Sequence, residues 1–119
     1  MPNRPYNRID RVADVIRKVV SETILSRVHH RGLEDVTITD VRVSPDIQHA
    51  HVYYRVLNSA KLMATGRALN KSRHLVQKQL NHELKTRYVP QLTFQYDDTL
   101  ERGNRIESLL ASVRKNDEE

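Results

Sequence analysis

The chain has 119 residues and a mass of 13.9 kDa, which is the size of one domain. Its 20 Lys and Arg residues outnumber its 15 Asp and Glu residues, so a net charge of +5 favours a polyanionic partner. The absence of Cys excludes disulfides, thiol nucleophiles and Cys-ligated metal centres. With no apolar run of ~18 residues and no signal-like N-terminus, we expect a cytoplasmic chain that neither spans a membrane nor is exported.

The first predicted elements are a long amphipathic helix and a strand. Apolar residues between about Tyr6 and Val28 fall in one helical arc, formed by Ile9, Val12, Ala13, Ile16, Val20 and Ile24. The β-branched run from Val36 to Ser44 then predicts a strand. Its apolar residues change face midway, which predicts either a bulge near Asp40 or partial burial of both faces.

A second strand is expected after the turn-forming residues Ser44-Pro45-Asp46. Between Ile47 and Leu57, apolar and polar side chains alternate strictly. The alternation predicts one buried face with Ala50, Val52, Tyr54 and Val56, and one wet face with His49, His51, Tyr53 and Arg55.

Two helical segments joined at a kink are predicted next, with Asn58 or Ser59 as the N-cap. The segments carry Leu62, Met63 and Leu69, and then Val76, Leu80 and Leu84. The predicted kink is Ala68-Leu69-Asn70, and Val89-Pro90 ends the helical run because proline lacks the N–H that a helix needs.

The C-terminal part predicts a third strand and a last helix. Leu92, Phe94 and Tyr96 alternate within Gln91–Tyr96, Asp98-Thr-Leu-Glu101 resembles a capping box, and a helical stripe follows at Ile106, Leu109, Leu110 and Val113. This order predicts an α+β domain over residues 1–113, with a three-stranded sheet packed by helices. Residues 114–119 are expected to form an acidic, disordered tail.

Positive charge is concentrated in two helical regions. Residues 61–89 hold seven basic side chains but only one acidic side chain, Glu83. Lys71, Lys78 and Lys85 recur every seven residues, with Arg73 nearby and with His74 and Asn81 on the same side. Arg8, Arg11 and Lys18 share the polar side of the first helix. A solvated helix face usually mixes both signs, so these nine residues are the predicted contacts with RNA phosphates.

Catalytic and metal chemistry is not predicted. His49 and His51 share a strand face but have no third ligand nearby in sequence, so we expect no metal and no cofactor. The pair Asp97-Asp98 precedes a helix, where capping is the favoured role over acid–base chemistry. Tyr88 beside Arg87 could stack on a base or belong to the core.

The chain resembles the ribosome-binding factor A family over nearly its full length. The resemblance is carried by the order and spacing of several segments: Arg8-Ile-Asp-Arg-Val-Ala13, Val36-Thr-Ile-Thr-Asp-Val-Arg-Val-Ser-Pro-Asp46, Ala50-His-Val-Tyr53, Arg87-Tyr-Val-Pro-Gln-Leu-Thr-Phe94, Gly103-Asn-Arg-Ile106 and Leu109-Leu110. It implies a type II KH-like fold in which a helix-kink-helix replaces the Gly-x-x-Gly loop. Asn70 stands where the family usually has Gly, and Asn tolerates the left-handed backbone expected at such a kink.

The resemblance also implies a noncatalytic role in ribosome biogenesis. Members of the family would bind the free, immature 30S subunit and 16S rRNA, and assist late 30S maturation, 16S 5′-end processing and growth in the cold. A monomer is expected because no further apolar stripe demands burial, and an assembly GTPase is left open as a further partner.

Two other functions remain open on the sequence alone. One is a protein-binding adaptor that docks a partner through Val15 and Leu75, with the positive charge incidental. The other is a small metal-dependent enzyme that uses His49 and His51.

Overall fold

The structure, a computed structural model, describes residues 5–24, 33, 36–86 and 88–117, without the side chains of residues 114–117. Within these residues lie three helices and a three-stranded sheet: α1 (Arg8–Glu22), β1 (Val36–Val43), β2 (His49–Val56), α2 (Leu62–Leu84), β3 (Gln91–Tyr96) and α3 (Thr99–Asp117). A short 3-10 helix, Ser59–Lys61, leads into α2. The predicted α+β class is therefore confirmed.

The sheet has the order β1-β2-β3 and mixes two kinds of pairing. β1 runs antiparallel to β2, whereas β3 runs parallel to β2 because α2 carries the chain back across the sheet between them. The register shifts between Ile38 and Asp40, which leaves Thr39 as an extra residue on β1. The bulge predicted near Asp40 is thus confirmed, and it explains why the apolar residues of β1 change face.

The core lies between the two N-terminal helices and one face of the sheet. α1 packs on β1 and on α2, and α2 packs on β3. The inward residues predicted for β2 are all buried, and they meet α1 and α2 residues of the same core, including Val12, Ile16, Val20, Leu69, Val76 and Leu80. The opposite face of the sheet carries polar side chains and faces solvent.

The start of α1 is held by a reciprocal capping box. The Asp10 backbone N–H donates to Asn7 Oδ1 at 3.0 Å, and the Asn7 backbone N–H donates to Asp10 Oδ2 at 3.1 Å. The helix ends at Glu22 and continues as a wider turn through Thr23 and Ile24. The predicted end at Val28 lies outside the described residues.

α2 is one continuous helix of 23 residues rather than two segments. Asn70 lies inside it with an ordinary helical φ, since the positive φ values of described non-glycine residues belong to Ile47 and Lys85. The expected left-handed Asn70 is therefore wrong, and Ala68-Leu69-Asn70 all lie within the helix that runs from Leu62 to Leu84. Lys85 takes the left-handed conformation instead and ends α2.

Two local predictions for α2 have different outcomes. The Asn58 side chain accepts a hydrogen bond from the Ala60 backbone N–H at 3.1 Å, so the predicted N-cap is confirmed for the 3-10 helix that opens α2. Met63 was predicted on the apolar stripe, but it is 76% exposed because its position points away from the sheet.

α3 projects from the domain instead of closing the core. Its predicted stripe, Ile106, Leu109, Leu110 and Val113, is 53–62% exposed. The radius of gyration is 17.8 Å, compared with about 13.5 Å for a compact chain of this length. The helix also continues past the predicted boundary at residue 113 to Asp117. An exposed apolar stripe removes the reason given for a monomer, so the oligomeric state stays a prediction.

The first turn of α3 is anchored by side chains other than the predicted capping box. Glu101 accepts bonds from Arg55 Nη2 at 3.1 Å, from Arg55 Nη1 at 3.3 Å and from the Tyr96 hydroxyl at 2.6 Å. Asp97 Oδ1 accepts from the Thr99 backbone N–H at 3.0 Å. Asp98 pairs with Arg102 at 2.9 Å. The Asp98–Glu101 box is therefore wrong, because Glu101 is drawn to the sheet.

Candidate nucleic-acid interface

The exposed side of α2 carries a row of cations, Arg67, Lys71 and Lys78, and Lys85 follows at the C-cap of the helix; we call these four residues the α2 basic face. At ~100° per residue, the three helical positions fall within ~40° of one another. The buried positions Val76 and Leu80 lie on the opposite side of the helix. The seven-residue spacing therefore produces one continuous positive surface, as the sequence predicted for its three lysines.

The cations of the α2 basic face have no carboxylate partner among the described side chains. Some described cations elsewhere are paired: Arg17 and Arg42 contact Asp40 at 3.8 and 3.0 Å, and Arg55 contacts Glu101. The one acidic residue between positions 61 and 89, Glu83, accepts a bond from Gln79 at 3.4 Å. Because paired charges attract phosphate weakly, the α2 basic face is a candidate surface for a polyanion.

A cleft of about 540 Å³ runs beside the α2 basic face, between α2 and the start of β3. It brings together three predicted contacts, Arg73, His74 and Asn81. It also contains Asn70, Gln77, Val89 and Gln91, which the sequence did not assign to RNA binding. Amide side chains both donate and accept hydrogen bonds, so the cleft can hydrogen-bond a base edge or a ribose as well as a phosphate.

One wall of this cleft is fixed by Gln77. Its Nε2 donates to the Pro90 carbonyl oxygen at 3.0 Å, and its Oε1 accepts from the Leu92 backbone N–H at 2.9 Å. Both backbone groups belong to the entry into β3, which forms an edge of the sheet. Gln77 therefore bonds α2 to this edge of the sheet and forms part of the cleft wall.

The predicted contacts on α1 do not line this cleft. Arg8, Arg11 and Lys18 are exposed, as predicted. Asp14 lies near Arg11 and Lys18 on the same side of α1, and it accepts a hydrogen bond from the Tyr6 hydroxyl at 2.5 Å. The positive surface of α1 is therefore interrupted by a carboxylate, unlike that of α2.

Some functional candidates were missed or left open by the sequence. Arg67 could have been found from its spacing, since it lies one turn before Lys71 on the same face. Gln91 could not have been found from the sequence, because only the packing of the elements brings β3 beside α2. Tyr88 is 70% exposed, so it is a surface residue rather than part of the core. Arg87 lies outside the described residues.

The structure also bears on the metal and membrane hypotheses. His49 and His51 are both exposed on the same face of β2. In the described part of the chain, no three His, Cys, Asp or Glu side chains form a group that could hold a metal ion. Its helices also include none with the length and apolar character needed to cross a bilayer.

The Asp97 carboxylate has a structural role. It accepts hydrogen bonds from the Thr39 hydroxyl at 2.6 Å and from the Thr99 hydroxyl at 2.5 Å. These bonds lower the pKa of Asp97 to about 2, because they favour its charged form. The capping role predicted for this pair is confirmed for Asp97, which ties β1 to the start of α3.

The fold and this surface define a class of protein, an α+β domain with a three-stranded mixed sheet and a basic helical face. A family model for ribosome-binding factor A matches residues 8–110. Over 109 residues, the chain is 39% identical to ribosome-binding factor A of Geobacter metallireducens, and the match covers 91% of this chain and 92% of that one. The chain therefore belongs to the ribosome-binding factor A family.

Solved structures share the fold. The crystal structure of ribosome-binding factor A from Thermus thermophilus matches with a TM-score of 0.62 and 20% identity, covering 74% of this chain and 93% of that one. A homology model of the Thermus thermophilus factor, fitted into a cryo-EM map of its complex with the 30S subunit, matches with a TM-score of 0.61 and 21% identity. That match covers 73% of this chain and 92% of the other.

Proposed function

We propose that this protein is a noncatalytic assembly factor that binds the free, immature 30S subunit through 16S rRNA. The observation that carries the proposal is the row of unpaired cations on α2, placed beside a cleft rich in amide side chains. Family membership supports it, and so does the structural match to a relative seen in complex with the 30S subunit. The role includes late maturation and 16S 5′-end processing in the cytoplasm, with its largest effect in the cold.

Each part of the surface has its own task in this proposal. The α2 basic face neutralises phosphates and positions the protein without reading sequence. Arg73, His74 and Asn81 contact the nucleotide that enters the cleft, while Arg8, Arg11 and Lys18 contact RNA from α1. Because folded rRNA is recognised largely by its shape, selectivity comes from the arrangement of RNA in the immature particle.

The test compares two variants with the same change in net charge. The variant K71E/K78E reverses two cations of the α2 basic face, whereas K61E/R105E reverses two exposed cations away from it. Loss of two phosphate contacts should weaken 30S binding by about tenfold or more. The negative slope of log K against log salt should become shallower by about 1.4–1.8. Sedimentation with immature 30S particles between ~50 and ~200 mM salt measures both quantities.

The control K61E/R105E should bind like wild type with an unchanged salt slope. Equal weakening of both variants would mean that only net charge matters, which would contradict a specific role for α2. Binding that is insensitive to salt and to both variants would instead favour the adaptor hypothesis, in which Val15 and the 40%-exposed Leu75 dock a protein.

A further inference from the structure

The sheet has a second face that no described helix covers. Its side chains are exposed or half-buried, while their neighbours on the opposite face form the core. We call this surface the open sheet face and define it by its members on the three strands: Thr37, Asp40, Arg42, His49, His51, Tyr53, Arg55, Gln91, Thr93 and Gln95. Gln91 at its edge also lines the cleft beside α2, whereas the proposed rRNA contacts on α1 and α2 lie outside the open sheet face.

Strand register places planar side chains in the centre of the open sheet face. His51 lies between Arg42 and Thr93, and Tyr53 lies between Asp40 and Gln95. The rings of His51 and Tyr53 have centroids 6.4 Å apart and planes inclined by 34°. They are therefore not stacked on each other, which leaves a ring face of each residue available. The guanidinium of Arg42 extends beside them with its side chain 75% exposed.

A cleft of about 200 Å³ adjoins the Tyr53 ring, between the open sheet face and the first turn of α3. Tyr53 and Gln95 line it from the sheet, and Thr99 lines it from α3. Its acidic residues are already engaged: Asp40 with two arginines, Asp98 with Arg102, and Asp97 with two threonine hydroxyls. A ring placed on Tyr53 would thus have a bounded space, and because Asp97 stays ionised beside it, the cleft suits an uncharged base rather than a phosphate.

We propose that the open sheet face is a second RNA site, on which unpaired bases of a single-stranded segment stack on His51 and Tyr53. The proposal rests on the proposed function and extends it from folded rRNA to single strands. Aromatic rings on a sheet surface stack bases with little sequence preference. The exposed guanidinium of Arg42, which bonds Asp40 at 3.0 Å, lies where its plane can stack on a base.

The chemistry of this face favours RNA over a protein partner. The centre of a protein interface is usually depleted of charged residues. The large exposed apolar residues of the described chain lie elsewhere, on α2, α3 and the loops, including Leu57, Met63, Leu75, Ile106 and Leu109. The open sheet face instead carries the bonded charges of Arg42 and Asp40, beside rings and amides that suit bases and their sugars.

The test uses an oligoadenylate of about ten nucleotides, a length within the usual site size for a single strand. The variant H51A/Y53A should bind it about tenfold more weakly than wild type. The slope of log K against log salt for oligoadenylate binding should be the same as in wild type, because the variant removes no phosphate contact. Y53F, which keeps the ring, and T93A, which alters the same face without a ring, should bind like wild type. Fluorescence anisotropy gives the affinities. Wild type and H51A/Y53A should bind an abasic oligomer of equal length with the same affinity, because it has no bases to stack.

H51A alone provides a second measurement, since His51 is exposed and its removal does not disturb the core. It should weaken oligoadenylate binding by a smaller factor. Wild-type affinity in both ring variants, or no binding of the oligomer to wild type, would overturn the proposal. A third result would also overturn the proposal: H51A/Y53A loses 30S binding while wild type shows no affinity for the oligomer. That result would assign the open sheet face to a ribosomal protein. The K71E/K78E comparison on 30S particles judges the proposed function separately.

Discussion

α2 and α3 carry apolar residues at the same helical spacing, yet only α2 buries them. Leu69, Val76 and Leu80 are fully buried between α1 and the sheet. On α3, Leu109 and Leu110 remain 62% and 53% exposed. Periodicity identifies a helix with an apolar side, but it does not say whether another element of the same chain is there to cover that side.

The two helices also differ in how they are tied to the sheet. α2 is bound along its length by packing and by the Gln77 bonds to the entry of β3. α3 is bound at its first turn, through Glu101 to Arg55 and Tyr96. Stability should therefore be concentrated in α2, while α3 depends on a small set of polar contacts.

The largest expected difference between the two helices is in how much the free energy of unfolding falls when a leucine is replaced by alanine. Leu80→Ala should lower the free energy of unfolding by about 2–5 kcal/mol, because it leaves a cavity in the core. Leu109→Ala should change it by less than about 0.5 kcal/mol. Urea denaturation followed by circular dichroism measures both values. Similar losses for the two variants would mean that α3 is covered in solution, for example in an oligomer.

A smaller effect is expected where α2 meets β3. Gln77→Ala should lower the free energy of unfolding by about 1–3 kcal/mol, because the partly buried Pro90 carbonyl and Leu92 N–H lose their hydrogen-bond partner. Gln79→Ala is the matched control on the same helix, since Gln79 bonds Glu83 within α2. The same denaturation assay should show a change below about 0.5 kcal/mol for the control. Equal costs would show that Gln77 does not lock α2 to the sheet.

The anchor of α3 should weaken in acid. Bonds from Arg55 and Tyr96 lower the pKa of Glu101 to about 2, and those from Thr39 and Thr99 lower the pKa of Asp97 to about 2. Both values lie below the ordinary 4.5 and 3.8, so these groups stabilise the fold above about pH 4.5. This contribution should be lost as the pH falls toward 2.

Glu101→Gln tests this dependence, because glutamine keeps the size but cannot titrate. The free energy of unfolding of the variant should be lower than that of wild type at pH 7, and the difference should shrink between pH 4.5 and 2. Denaturant midpoints measured across this range provide the comparison. A difference that stays constant with pH would contradict an ionic anchor at Glu101.

Patterns that depend on neighbouring residues were predictable from the sequence. The alternation in β2, the bulge near Asp40 and the cap at Asn58 all agree with the structure. The lysines of the α2 basic face were also found, because a seven-residue repeat keeps side chains on one side of a helix.

Predictions failed where a side chain has a better partner far away in sequence. Glu101 matches a capping box locally, but Arg55 and Tyr96 offer it stronger bonds across the sheet. Asn70 could adopt a left-handed backbone, yet the packing of α2 on the core keeps it helical. Local propensity is worth at most about 1 kcal/mol per residue, so tertiary contacts override it.

The sequence by itself determined the α+β class, the segments of the sheet and the polarity of each helix, because these follow from spacing and charge along the chain. Tertiary structure alone decided which apolar stripe is covered, which cations are paired and which residues form a cleft. Gln91 reaches the cleft only because β3 lies parallel to β2 beneath α2. Such contacts depend on how whole elements pack, and no local pattern records that packing.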